Sequence, residues 1–239
     1  MEIDAILKAA VAQQNKSVGS DGTERGLDIT RRGQIATTNW KHELVLAGMV
    51  YRMSIGTITA GGDITLIQGG GAGTTIDLDQ PEGVVAVDSG WLIPIAFEFS
   101  AQVDMDADAE VGNVVVTADR SQATAAGATA TVETPDNLLD GGAAFAGRAY
   151  SAVTADVTDP IHSDILYYKT IRAAEFISNG TATNLTNGIV AEFSASKEWD
   201  LPTLLAGPCQ LLVYWGGTAA VNAIASLVFA HVQSSAVYS

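Results

Sequence analysis

The chain has 239 residues, 47% hydrophobic and 16% charged, with 27 acidic side chains against 12 basic ones and a net charge of −15. That balance excludes a disordered chain, which needs low hydrophobicity and high charge. It also gives little electrostatic support to binding of nucleic-acid phosphates or anionic membranes. With one cysteine, Cys209, neither an intrachain disulfide nor a cysteine metal cluster can form.

The first dozen residues read as a helix, since Ile3, Ile6, Leu7, Ala10 and Val11 recur at helical spacing and make one apolar face. About ten residues cannot hold a helix in isolation, so this face needs a surface to dock on. The same stretch carries acids where a signal peptide needs bases, and Lys8 interrupts its apolar run. The longest uncharged stretch, after Asp200, is cut by Pro202, Pro208 and Gly216-Gly217 and does not read as a spanning helix, so a soluble product that does not insert into membranes is expected. Residues 13–33 are polar and glycine-containing and read as an extended arm with Asp21-Gly22 as a turn. Such a tether would let the helix reach a neighbouring subunit.

From about Gln34 the pattern changes to period two, and residues 34–239 read as one β-sandwich domain after a 1–33 helix and arm. The clearest strand is Trp91 to Val103, in which Trp91, Ile93, Ile95, Phe97, Phe99, Ala101 and Val103 alternate with Pro94, Glu98, Ser100 and Gln102. Pro94 cannot donate to a ladder and should lie near an edge or a bulge. Further strands are predicted over Met49–Thr59, Ile64–Gln68, Thr74–Leu78, Val84–Val87, Asn113–Ala118, Ala128–Val132, Ile165–Ile171, Ile189–Ser194, Gln210–Trp215 and Ala225–Gln233. Glycine turns separate many of them, and so many short strands argue for an all-β, two-sheet antiparallel sandwich. No Asp, Glu, Lys or Arg follows Asp200. The last two strands therefore read as a hairpin-like pair that is central in a sheet or covered by another subunit.

The run VDMDADAEVG sets Asp104, Asp106, Asp108 and Glu110 at alternate positions, so an extended chain puts four carboxylates on one face. Neighbours about 7 Å apart repel by roughly 0.6 kcal/mol in water, and partial burial would call for a cation such as Ca²⁺. The run is not an EF-hand, because Ala109 stands at the glycine position and Val115 at the closing glutamate. An acidic hairpin tip after a long strand is the plainer reading and the preferred one. The glycine run Gly69–Gly73 lacks the ending of a phosphate loop. His42, His162 and His231 are far apart and have no second ligand at metal spacing, and Cys209 reads as a small buried thiol.

A short N-terminal helix and arm, small-residue-rich strands such as TITAGGDITLIQ and VAVDSGWLIPIAFEFSAQVDM, and the closing GPCQLLVYWGGTAAVNAIASLVFAHV make up a layout that resembles jelly-roll structural proteins of virus particles, especially those of bacteriophages. The resemblance implies eight strands in two facing sheets, a place in the virion, and partners that are copies of the chain itself or other virion proteins. Residues 1–32 hold five bases and five acids, so the arm is neutral and cannot condense a genome. Direct nucleic-acid binding is therefore not expected. A carbohydrate-binding or adhesive sandwich is the alternative, with Trp40, Trp199 and Tyr167-Tyr168 as its aromatics. A metal-dependent hydrolase on the acidic run lacks a nearby base or nucleophile, and no enzymatic activity is expected.

Overall fold

The computed structural model describes residues 40–58, 64–65, 67–68, 76, 78–105, 111–124, 130–153, 161–172, 189–200, 203–218 and 220–233, with the two-residue strands Ser17–Val18 and Glu24–Arg25. These two short strands pair antiparallel on either side of the expected Asp21-Gly22 turn in sequence. The predicted helix face of Ile3, Ile6, Leu7, Ala10 and Val11 lies outside the described residues.

Among the described residues, one helix, α1 (Trp40–Leu46), is followed by nine main strands. They are β1 (Val50–Ile55), β2 (Gly83–Val87), β3 (Trp91–Met105), β4 (Val111–Asp119) and β5 (Arg148–Ser151). Then come β6 (Asp164–Arg172), β7 (Ile189–Glu198), β8 (Cys209–Gly217) and β9 (Ala220–Val232). One sheet runs β5-β2-β8-β4-β6, with Thr131–Val132 outside β5. The other runs β1-β9-β3-β7, with Asp136–Asn137 outside β1. All of these pairings are antiparallel. With β5 set aside, the chain steps between the sheets so that β8 enters between β2 and β4, and β9 between β1 and β3. That interleaving is the double Greek key of an eight-stranded jelly roll.

The sheets face each other across one apolar layer. Met53, Ile55, Phe97, Phe99, Trp215, Leu227 and Phe229 are all buried there. Rings of Phe99 and Trp215 meet at 5.6 Å and those of Phe97 and Tyr167 at 5.7 Å, so aromatic side chains fill the interior.

Several expectations are corrected. The C-terminal strands are not a hairpin: β8 and β9 are consecutive but belong to opposite sheets. Gly216 and Gly217 adopt φ of 153° and 152°, a conformation that side-chain-bearing residues rarely take, and the chain crosses to the facing sheet there. Both strands are central, as their lack of charge implies. In β3 the apolar set does not share one face. The pairing with β9 passes from Ala96↔Val228 to Pro94↔Phe229, so Ile95 is an extra residue and the strand bulges. Beyond the bulge every side chain changes sides. Phe97, Phe99 and Ala101 face the other sheet, whereas Ile93 and Ile95 lie on the outer face with Val50 and Ala230. Pro94 sits beside that bulge, as its missing N–H requires.

The outward isoleucines explain α1, which lies where period two was expected. Trp40, Leu44 and Val45 recur at helical spacing and pack on the Val50, Ile93, Ile95 and Ala230 cluster. Lys41 pairs with Glu198 at the end of β7 and ties the helix start to that edge. In the expected strand Thr74–Leu78, Leu78 lies in a turn, and its backbone oxygen accepts the Tyr214 hydroxyl at 2.9 Å.

Candidate functional site

Polar side chains gather in two places, one on the outer face of each sheet. On the five-strand path from β5 to β6, the outer face carries a buried network at the end of β4. The Asp119 carboxylate is fully buried and accepts from the Ser121 hydroxyl and backbone N–H (2.6 and 2.8 Å), the Ile161 N–H (3.0 Å) and the Gln210 amide (3.3 Å). Gln210 in turn accepts from the Thr124 N–H at 2.9 Å. The Thr117 hydroxyl meets His162 Nδ1 at 3.0 Å, and the His162 ring lies edge-on to Tyr214 at 5.6 Å. Arg120 pairs with Asp164 at 2.7 Å, and Arg148 bonds both Asp88 oxygens at 2.5 and 2.7 Å. Burial pushes the Asp119 pKa up, but the hydrogen bonds it accepts overcome this and hold the carboxyl below its ordinary range. Burial also depresses the His162 pKa, against the pull of Asp119 and Asp79. The arrangement is a clamp: it fastens residues 161–163, which lead into edge strand β6, to the end of β4.

The outer face of the β1-β9-β3-β7 sheet differs. Beyond α1 it opens into a shallow depression of about 470 Å³, lined by Ser54, Ser100, Ser194, Ser196 and Ser226 around Glu98. Register explains the grouping, because Ser54, Ser226, Glu98 and Ser196 form one row across all four strands. The Ser226 hydroxyl oxygen is buried and has no hydrogen-bond partner.

The sheet edges are unequal. The β1 and β5 edges are each covered by a two-residue strand, whereas β6 and β7 are outermost among the described residues. They flank the same side of the sandwich, where the Trp199 indole N–H, just after β7, donates to the Leu166 oxygen of β6 at 3.2 Å. The β6 edge is interrupted by a bulge between Ile165 and Tyr167 and exposes Ile165 to 70%. The β7 edge pairs with β3 in unbroken register over all ten residues. The Trp199 N–H donates to the Ile95 oxygen at 3.0 Å, continuing that register. Odd-numbered residues of β7 therefore aim their backbone groups at β3, and Val190, Glu192, Ser194, Ser196 and Glu198 aim theirs outward.

Of the predicted metal ligands, Asp104 lies near the end of β3 by its backbone, and Asp106, Asp108 and Glu110 fall outside the described residues. Among the described residues no group of three or more His, Cys, Asp or Glu is placed to hold a metal ion. The four aromatics weighed for sugar binding do not form one platform. Trp199 is buried, Trp40 packs under α1, Tyr167 joins the core, and Tyr168 alone is largely exposed, with its hydroxyl donating to Asn113 at 3.1 Å. His42 is exposed on α1, and the His231 ring nitrogen Nε2 lies 3.1 Å from the Ser89 oxygen. Cys209 is buried, and burial pushes its thiol up to about 12. Native protein at pH 8 should therefore leave Cys209 unmodified by a thiol reagent, and unfolding in guanidinium should release about one reactive thiol per chain. Rapid labelling of the native state would contradict the buried placement. No family model and no curated protein matches the chain. No helix among the described residues is long and apolar enough to cross a membrane.

Proposed function

We propose that the chain is a structural subunit of a virus or bacteriophage particle, a jelly roll that assembles with copies of itself and acts in the virion. The observation that carries this reading is the interleaved strand order around an interior filled by Phe97, Phe99, Trp215 and Phe229. Jelly rolls recur as shell subunits, as lectins and as small-molecule containers. A packed aromatic interior favours the first use over the third, and the scattered placement of Trp40, Trp199, Tyr167 and Tyr168 favours it over the second. Two long strands at one side of the sandwich, with Ile161, Ile165 and Leu204 exposed on the surface, suit contact with other subunits. The net charge of −15 sets genome contact aside as a task for other virion proteins.

Purified protein is expected to sediment as a defined oligomer and to show rings or closed particles by electron microscopy. A single 24.8 kDa species at every concentration and salt tried would overturn the proposal.

A further inference from the structure

We propose that the β7 edge joins the same edge of a second copy across a twofold axis at Ser194, making one continuous antiparallel sheet from two subunits. The inference rests on the self-assembly reading and names the surface that assembly would use.

Three observations carry it. The first is the length and regularity of the β7 edge. Edge strands are ordinarily blunted by proline, bulges, short length, charged side chains or a covering strand, and Ile189–Glu198 has no proline, no break in register and no strand outside it among the described residues. Its guards are charges only, Glu192, Glu198 and Lys197, the last on the core-facing side opposite Phe97, and the register argued below sets none of them against a like charge. The other three edges each have a backbone device: a bulge in β6 and two-residue strands over part of β1 and β5.

The second is backbone parity. Val190, Glu192, Ser194, Ser196 and Glu198 present their N–H and C=O groups to the open side, as the Trp199–Ile95 bond and the register require. Pairing about Ser194 sets Ser194 against its own copy, Glu192 against Ser196, and Val190 against Glu198. Every outward group between Val190 and Glu198 then has a partner.

The third is charge, which chooses the register. Sliding the twofold to Ala195 puts Glu192 opposite Glu198, and sliding it to Ser196 puts Glu192 opposite Asp200. Like charges directly opposite destabilise a sheet. The Ser194 register has no such pair. It places exposed Lys197 opposite Ala191, a small uncharged residue. The strand centre, Ser194-Ala195-Ser196, is small enough for close approach of two backbones, and the serine-lined depressions of both subunits would meet across the new seam.

The test uses the full chain with two variants. In a hydrogen-bonded antiparallel pair facing Cα atoms lie about 5.5 Å apart, inside the range a disulfide spans. Ser194→Cys treated with diamide is expected to become mostly covalent dimer on a non-reducing gel. Ser54→Cys, exposed on the same outer face but on β1 at the opposite side of the sheet, should stay monomeric on that gel, and native Cys209 is buried. Ser194→Pro removes the central donor from each copy, and the β7–β3 ladder does not use that N–H. This variant should keep the wild-type circular dichroism spectrum and dissociate at least about tenfold more readily by analytical ultracentrifugation. Cross-linking of Ser194→Cys no greater than that of Ser54→Cys overturns the edge pairing, whether or not the proline variant folds. A folded Ser194→Pro that assembles like wild type also overturns it while leaving self-assembly intact. A wild-type protein that is monomeric throughout defeats the assembly reading itself.

Discussion

Replacing Trp215 with Ala is expected to destabilise the protein by about 3–5 kcal/mol, the range for deleting a fully buried aromatic side chain. Trp215 has no exposed surface and sits in central strand β8, with its ring 5.6 Å from that of Phe99. The interior is close-packed by large side chains from both sheets, so the cavity would not refill without moving strands. In a domain of this size about 1 kcal/mol shifts the melting temperature by roughly 2–4 °C, so a fall of some 6–20 °C should be seen by calorimetry. Ser54→Ala, on the exposed outer face, provides the comparison and should move it little. A Trp215→Ala protein that melts within a degree or two of wild type would mean that the two sheets do not pack on this residue.

Asp119→Ala should be nearly as damaging, for a different reason. The substitution removes the acceptor for the Ser121 and Ile161 backbone donors and the Gln210 amide. Each buried donor left without a partner costs about 1–3 kcal/mol. The sign of the pH dependence follows from the lowered carboxyl pKa. Stability from Asp119 is fully present above the unfolded value of about 3.9 and is lost as pH falls through the folded one. His162 adds an earlier limb. Its folded pKa lies below the ordinary 6.5, so the unfolded chain takes up the proton first, and stability begins to fall below about pH 6.5. Urea midpoints measured from pH 8 to pH 3 should therefore decline in two stages. The later stage should be smaller in Asp119→Ala, where Asp88 beside Arg148 still contributes, and the earlier one should be missing in His162→Gln. A wild-type profile that is flat from pH 7 to pH 4 would remove His162 from this account.

The outline of the fold was legible because half-buried strands alternate. β2, β4, β6 and β8 fall within a residue or two of their expected spans, and the charge-free tail marked two central strands. Faces and partners were less legible. Leu92 to Ala96 is apolar at all five positions, so alternation carries no information there, and the Ile95 bulge that reverses the faces left no mark. Composition also could not say that Gly216-Gly217 leads to the facing sheet and not back along the same one. Helix α1 had a signal, the Trp40, Leu44 and Val45 stripe, that its seven-residue length kept below notice. Asp119 and Gln210 are 91 positions apart and meet only because β8 enters beside β4. Nothing local distinguishes that carboxylate from its solvated neighbours.

The interleaved strand order also constrains how the chain can be made. β8 is the neighbour of both β2 and β4, and β9 of both β1 and β3. Until Cys209–Val232 has left the ribosome, the first four strands have no common partner and both half-sheets are split down the middle. Four inner edges, those of β1 to β4, then stand open at once. Pairings of such sequence separation are slow to close, and exposed apolar edges invite contact between nascent chains. Strands β8 and β9 thus act as a late keystone. A message truncated before Cys209 would leave each sheet without its central strand.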